Sequence, residues 1–205
     1  TLPFPAARSA AESSLAAGMA ARAALFLRAA EALQPALESG ETFGTPVLRE
    51  AMRAALGGSD AEGAWDWKAA YDVCEAAQIL LLRRYGAALA ARNPTPQKML
   101  QALMRIAARV PTQTRRSEAG QALRQFSTPL PYGYVAAVAA GIRPGELVLE
   151  PSAGTGMLAI HAERAGAMLQ LNELADDRAG LLERLFVDAG VSRHDAASID
   201  DRLAA

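Results

Sequence analysis

Leu147-Val148-Leu149-Glu150-Pro151-Ser152-Ala153-Gly154-Thr155-Gly156 is the stretch that decides the fold. A short apolar run ends in a carboxylate and a proline. A loop with two glycines one residue apart follows, and Met157 to Arg164 then reads as a helix. Strand, glycine loop, helix is the arrangement that holds a nucleotide-like ligand above the end of a parallel strand. Glycine is expected there because the ligand must approach the backbone closely and a Cβ would block it. The loop has no Lys-Ser/Thr pair of the phosphate-binding kind, which argues against triphosphate hydrolysis in this segment.

A second acid follows at the expected spacing. Ala167 to Glu173 reads as another strand ending in a carboxylate, and an acid about 20 residues beyond the glycines accepts ribose hydroxyls in dinucleotide folds. A helix is expected from about Asp176 to Phe186. Val191 to Ala196 is then a third strand that places Asp195, with Ala196 beside it, at a third strand end. Three carboxylates at one edge of a sheet can surround a cationic, adenosine-bearing ligand. A nicotinamide oxidoreductase would want a third glycine at 159, where Ala159 stands, and Glu150 before the loop would repel a pyrophosphate. A non-catalytic binding or assembly module is the third reading.

Outward from this stretch, the chain divides in two. Residues 1–111 read as about four helices without strands, a helical domain; residues 112–205 read as strand and helix in alternation. One helix is expected over 13–38, ended by Gly40. The next starts at Thr45-Pro46 with Thr45 as cap, and Gly57-Gly58 stops it. A long helix capped by Asp66 runs through Trp67, Tyr71, Cys74, Ile79 and Leu82 to Asn93-Pro94. Another starts at Thr95-Pro96 with an apolar stripe of Leu100, Leu103, Met104 and Ala107. Residues 115–125 are expected to be helical, and Ser127-Thr128-Pro129 starts the helix that Gly141 ends.

Composition excludes several classes. The 205 residues are 51% hydrophobic, rich in alanine, with a net charge of −1. No basic field covers the whole chain, and the cluster Arg115, Arg116 and Arg124 reads as a solvated helix face. The one cysteine, Cys74, rules out an internal disulfide framework and fits a reducing cytoplasm; it is expected in the core. The apolar run Ile79 to Leu82 is too short to span a membrane. His161 and His194, widely separated, make no metal site, and a surface position or a supporting role is expected of each. Trp65 and Trp67 read as packing rather than base stacking, since no basic residues interleave them.

The segment Glu150-Pro151-Ser152-Ala153-Gly154-Thr155-Gly156 resembles motif I of class I S-adenosylmethionine-dependent methyltransferases, in the form typical of DNA adenine-N6 enzymes. Gln125-Phe126-Ser127-Thr128-Pro129-Leu130-Pro131 is similar to the Phe-x-Thr-Pro segment that closes over the methionine end of the cofactor in that family. Residues 115–205 resemble the start of the methyltransferase module in bacterial methylase/helicase fusions of the Strawberry-notch-like group. Before them only Ser59 to Trp67 matches, with the general helical character. The resemblance implies an α/β chain: a helical region, then the first half of a Rossmann-like methyltransferase fold with three parallel strands. It implies S-adenosyl-L-methionine as cofactor, DNA as the partner of the full-length protein, a downstream helicase-like domain and a cytoplasmic location. Phe126, Thr128 and Pro129 would close over the methionine end. Pro151, Ala153, Gly154 and Gly156 would form the loop, with the two glycines giving backbone access. Glu150 would act through water or loop amides, or hold the amino end. Glu173 would accept both ribose hydroxyls, and Asp195 with Ala196 would meet the adenine. The catalytic Asn/Asp-Pro-Pro-Tyr/Phe signature is absent, so catalytic groups are expected beyond Ala205; the chain, opening on Thr1, reads as a piece cut inside the fold.

Overall fold

The computed structural model describes residues 10–112 and 127–203. The first span is helical: α1 (Ala10–Ala32), α2 (Gln34–Glu38), α3 (Thr45–Leu56), α4 (Trp67–Arg92) and α5 (Pro96–Ala107). The second alternates: α6 (Leu130–Ala140), β1 (Leu147–Glu150), α7 (Ala159–Arg164), β2 (Met168–Asn172), α8 (Asp176–Leu185) and β3 (Gly190–Ser192). A 3-10 turn (Ala196–Ser198) and α9 (Asp200–Leu203) follow. The protein is thus mixed α/β, mostly helical, with one three-stranded parallel sheet in the order β1-β2-β3. Phe126, the basic cluster Arg115, Arg116 and Arg124, and the helix expected over 115–125 lie outside the described residues.

Most helix ends are set locally. The Asp66 side chain accepts the Ala69 N–H at 2.8 Å to open α4, and Thr95 Oγ1 accepts the Lys98 N–H at 3.3 Å to open α5. Gly57 and Gly141 close α3 and α6 with φ of +78° and +63°. Three details differ from expectation. The element over 13–38 is two helices, because Pro35 has no N–H to continue the ladder of α1 and instead sits in the first turn of α2. Gly44, not Thr45, is the cap residue of α3, and Thr45 is already helical. The buried stripe of α5 is Met99, Ala102, Leu103 and Ile106, while Met104 faces outward.

Helix α4 is the spine. Its middle, Ala69 to Ile79, is buried without interruption, as expected of a helix surrounded by others. Cys74 is part of that core, as expected, and burial pushes its thiol pKa up. Helix α1 lies along α8, where a Cβ on Gly180 would stand 3.2 Å from that of Ala23. Arg22 pairs with Asp177 at 3.0 Å across the same contact. Arg83 on α4 holds Glu163 on α7 through two bonds of 2.9 and 2.8 Å. One cluster of buried apolar side chains runs from Phe26 and Met52 through Ile79 and Leu103 to Leu130, Ile160, Leu171 and Leu182. The buried core therefore crosses the boundary drawn at 111/112. Trp65 is buried and donates to Gly58 O at 3.0 Å; its ring meets Trp67 edge-on at 5.7 Å. Both tryptophans pack, as expected. Among the described residues no helix is long and apolar enough to cross a membrane.

The register Leu147↔Met168 to Glu150↔Leu171, and Gln170↔Gly190 to Asn172↔Ser192, brings the carboxyl ends of the three strands to one edge. Within the described residues β1 pairs only with β2. On this edge strand Leu147 is 69% and Leu149 45% exposed. An unpaired apolar edge favours self-association. Leu147→Lys should raise the concentration at which light scattering begins to climb while changing stability by no more than about 0.5 kcal/mol. An unchanged scattering onset would show that the edge is not adhesive.

Candidate functional site

The glycine loop is built from both its own backbone and the neighbouring strand. Ala153 N–H donates to Asn172 O at 2.8 Å, and Gly156 N–H turns back to Ala153 O at 2.8 Å. Gly154 and Gly156 have φ of +58° and +96°, which side-chain-bearing residues avoid. Their surroundings differ. A Cβ on Gly154 would have only Arg178 Nη1 nearby, at 3.8 Å. A Cβ on Gly156 would run into the Phe186 ring and stand 3.1 Å from Leu182 Cδ1. The bare side of Gly156 therefore lets the loop pack on the core, a task beyond the ligand access expected of both glycines.

The strand ends are joined by one residue that sequence reading passed over. Asn172, 1% exposed, donates through Nδ2 to Pro151 O and His194 O, each at 2.9 Å. Its Oδ1 accepts from Ser192 Oγ at 2.8 Å and from the His194 N–H at 2.9 Å. All four hydrogen-bonding positions of the amide are thereby filled. Next to it Glu173 is buried, and its carboxylate grips backbone: Gly154 N–H donates to Oε2 and Ala175 N–H to Oε1, both at 2.8 Å. Asp195 lies three residues beyond the end of β3, which stops at Ser192. It is exposed, and its Oδ1 caps the 3-10 turn by accepting the Ala197 N–H at 3.0 Å; Ala196 beside it is half-buried.

Glu150 ends β1 beside a cleft of about 230 Å³ that is otherwise apolar, lined by Ala137, Val148, Leu158, Ala159 and Leu171. Its Oε2 is buried and accepts no hydrogen bond. Burial raises its pKa from a usual 4.5 to about 8, with Glu173 adding to the rise and the Ala159 N–H opposing it. Thr128 is half-buried and Pro129 exposed at the start of α6, where Pro129 O accepts the N–H of Tyr132 and Gly133. His161 corrects an expectation. Helix α7 is wedged among α4, α6 and β2, so the ring is buried with Nε2 3.1 Å from Leu130 O, and burial lowers its pKa to about 4. His194 is exposed, with its backbone engaged by Asn172.

Beneath the loop lies a polar network supplied by the helical region. Arg178 on α8 donates twice to Asp72 on α4, at 2.8 and 3.0 Å, and its Nη2 reaches Ser127 Oγ at 3.2 Å. Both side chains of this ion pair are buried, 6% and 4% exposed. Thr155 Oγ1, in the loop, donates to Glu75 Oε2 at 2.6 Å. Asp72 and Glu75 are acids at i and i+3 in a mostly apolar run, and that interruption is the sequence signal that could have flagged them. None of the family models, curated proteins and solved structures compared with this chain matches it.

Two outcomes follow from this geometry. Gly156→Val should cost roughly 3 kcal/mol or more, since overpacking adds to a left-handed φ, whereas Gly154→Ala should cost about 1–2 kcal/mol from φ alone. Denaturant unfolding separates the two; equal costs would mean that Gly156 does not pack on the core. Glu150 holds a proton in the folded state that the unfolded chain releases, so its contribution to stability is lost as pH rises from 4.5 to about 8. Glu75 acts in the same direction, and His161 in the opposite one between about 4 and 6.5. The stability advantage of Glu150→Gln over the natural protein should therefore grow by roughly 1–3 kcal/mol across the Glu150 window. A difference independent of pH would place that carboxylate in solvent.

Proposed function

We propose that this chain is the S-adenosylmethionine-binding portion of a methyltransferase with a Rossmann-like fold, acting on DNA at adenine N6 within a larger methylase/helicase protein. The observation that carries the reading is the glycine loop at the carboxyl edge of a parallel sheet, closed by the next strand's carboxylate: Gly154 N–H on Glu173. The sequence motifs at Glu150–Gly156 and Phe126–Pro129 point the same way. The Glu173 side chain beside the loop disfavours a pyrophosphate and suits a cation.

The residues fit the cofactor on an observation independent of the motif. Glu150 carries a buried oxygen that accepts no bond, a site for a water or an amino group to donate to. Glu173 receives one N–H on each oxygen and keeps a further lone pair on each for ribose hydroxyls. Gly154, half-buried, would give the ligand access to the backbone, and Asp195 with Ala196, beyond the third strand end, would meet the adenine. Thr128 and nearby backbone would meet the methionine carboxylate.

S-adenosylmethionine, when bound, supplies a methyl group already activated by its sulfonium charge, so the protein's task is binding and orientation. In this chain that means a fixed loop and acceptors set at the strand ends. The groups that hold a base's amino nitrogen in line with the methyl carbon are not among the residues identified here, and methyl transfer belongs to the full-length protein.

Calorimetric titration of the full-length protein with S-adenosylmethionine tests the reading. Glu173→Ala should weaken binding at least about tenfold, because charge-assisted acceptors are worth roughly 1.5–3 kcal/mol each. Equal affinities would remove Glu173 from the site. No binding by the natural protein would overturn the assignment.

A further inference from the structure

Resting on that reading, we propose that Glu75 is a positioning residue of the cofactor site: through Glu75, helix α4 holds the glycine loop and the Ser127-Thr128-Pro129 segment in one fixed relation. The two segments that the ligand reading needs are far apart in sequence, and their polar side chains converge on the same carboxylate. Thr155 of the loop donates to Glu75 Oε2 at 2.6 Å. Ser127, next to Thr128, also hydrogen-bonds Glu75. Arg178 closes the circuit. Its guanidinium grips Asp72, one turn before Glu75, and reaches Ser127 at 3.2 Å. The same group is the nearest neighbour of Gly154 on its Cβ side.

A network serving only to stabilise the helices would join helix to helix. Here two of the joined groups, Thr155 and Ser127, belong to the loop and to the segment before α6, and Arg178 of α8 reaches the second of them. Buried charge is an expensive way to gain stability, since apolar replacements of such pairs are often neutral or better. Its distinctive product is orientation.

The position also makes the loop sensitive to charge. Glu75 is fully enclosed; burial first, and Asp72 second, raise its pKa to about 7, while Thr155, Arg178 and Ser127 hold it down. The ionisable groups around it are Asp72 and Cys74 on its own helix and Arg178 from α8, behind which stands Glu173. Burial keeps the Cys74 thiol neutral, and the carboxylates around Arg178 keep the guanidinium charged. Glu75 therefore changes charge near neutrality, and Glu150 at the end of β1 follows at about one pH unit higher. When Glu75 loses its proton, a negative charge appears beside the loop, and a sulfonium cation gains from it. The neutral thioether S-adenosylhomocysteine lacks that gain.

The experiment is calorimetric titration of the full-length protein with S-adenosylmethionine and with S-adenosylhomocysteine, at intervals from about pH 6 to about pH 8. The natural protein should bind the sulfonium about fivefold more tightly at the upper end, a size set by one added charge several ångströms away, and the thioether about equally throughout. Glu75→Gln keeps an acceptor for Thr155 and should reduce the sulfonium rise to the part that Glu150 supplies toward pH 8, while retaining binding of both ligands. Thr155→Val removes the donor and should weaken both ligands about tenfold at every pH. A Glu75→Gln profile that rises like the natural one, or a Thr155→Val protein with natural affinities, would overturn the proposal and leave the cofactor reading intact. Absence of binding by the natural protein to either ligand would overturn both. Should Thr155→Val prove unfolded by circular dichroism, the Glu75→Gln profile decides alone.

Discussion

The site depends on the side chain of Asn172. A parallel sheet aligns its strands but leaves the loops after them free to diverge. Here one buried amide reaches from the end of β2 to the carbonyl of Pro151 on one side and to both backbone groups of His194 on the other. With the Asn172 carbonyl receiving the Ala153 N–H, and Glu173 receiving that of Gly154, the turn after β1 is held at three points by two consecutive residues. Unpaired donors or acceptors at this depth would each cost about 1–3 kcal/mol, so the arrangement is close to all-or-none.

Much of the architecture was legible because its signals are local. Caps at Asp66 and Thr95, stops at Gly57 and Gly141, and the strand–glycine–helix order each concern residues a few positions apart. What stayed hidden depends on distance. Gly156 looks like Gly154 in sequence, and only the approach of Phe186 gives it a packing task. Asn172 reads as an ordinary strand residue until three strand ends converge on it. His161 sits on a short helix whose neighbours come from α4, α6 and β2, and no pattern within six residues reports three such neighbours. No site residue was expected in the helical region, and it contributes Asp72 and Glu75 directly beneath the loop.

Within this network the two kinds of contact play different parts. The Arg178–Asp72 pair is bidentate and enclosed, so breaking it by removing one partner would leave a bare charge in the core. The Thr155–Glu75 bond is a hydroxyl on a carboxyl and tolerates a change of protonation, because either group can donate. A rigid strut and an adjustable one thus support the same loop.

The packing of α1 against α8 has a consequence for how the protein is made. Arg22 and Asp177 are 155 residues apart, and Ala23 and Gly180 meet in the same contact. During synthesis the face of α1 that packs on α8 has no partner until α8 has left the ribosome. At 5–20 residues per second that interval is roughly ten to thirty seconds. Throughout it α3, α4 and α5 can assemble around an unfinished core, with Phe26 and its neighbours seated against α4 and bare on the side that α8 will cover. Until then the nascent chain presents an apolar helical surface, a natural substrate for a holding chaperone, and this contact closes only when the second crossover helix arrives.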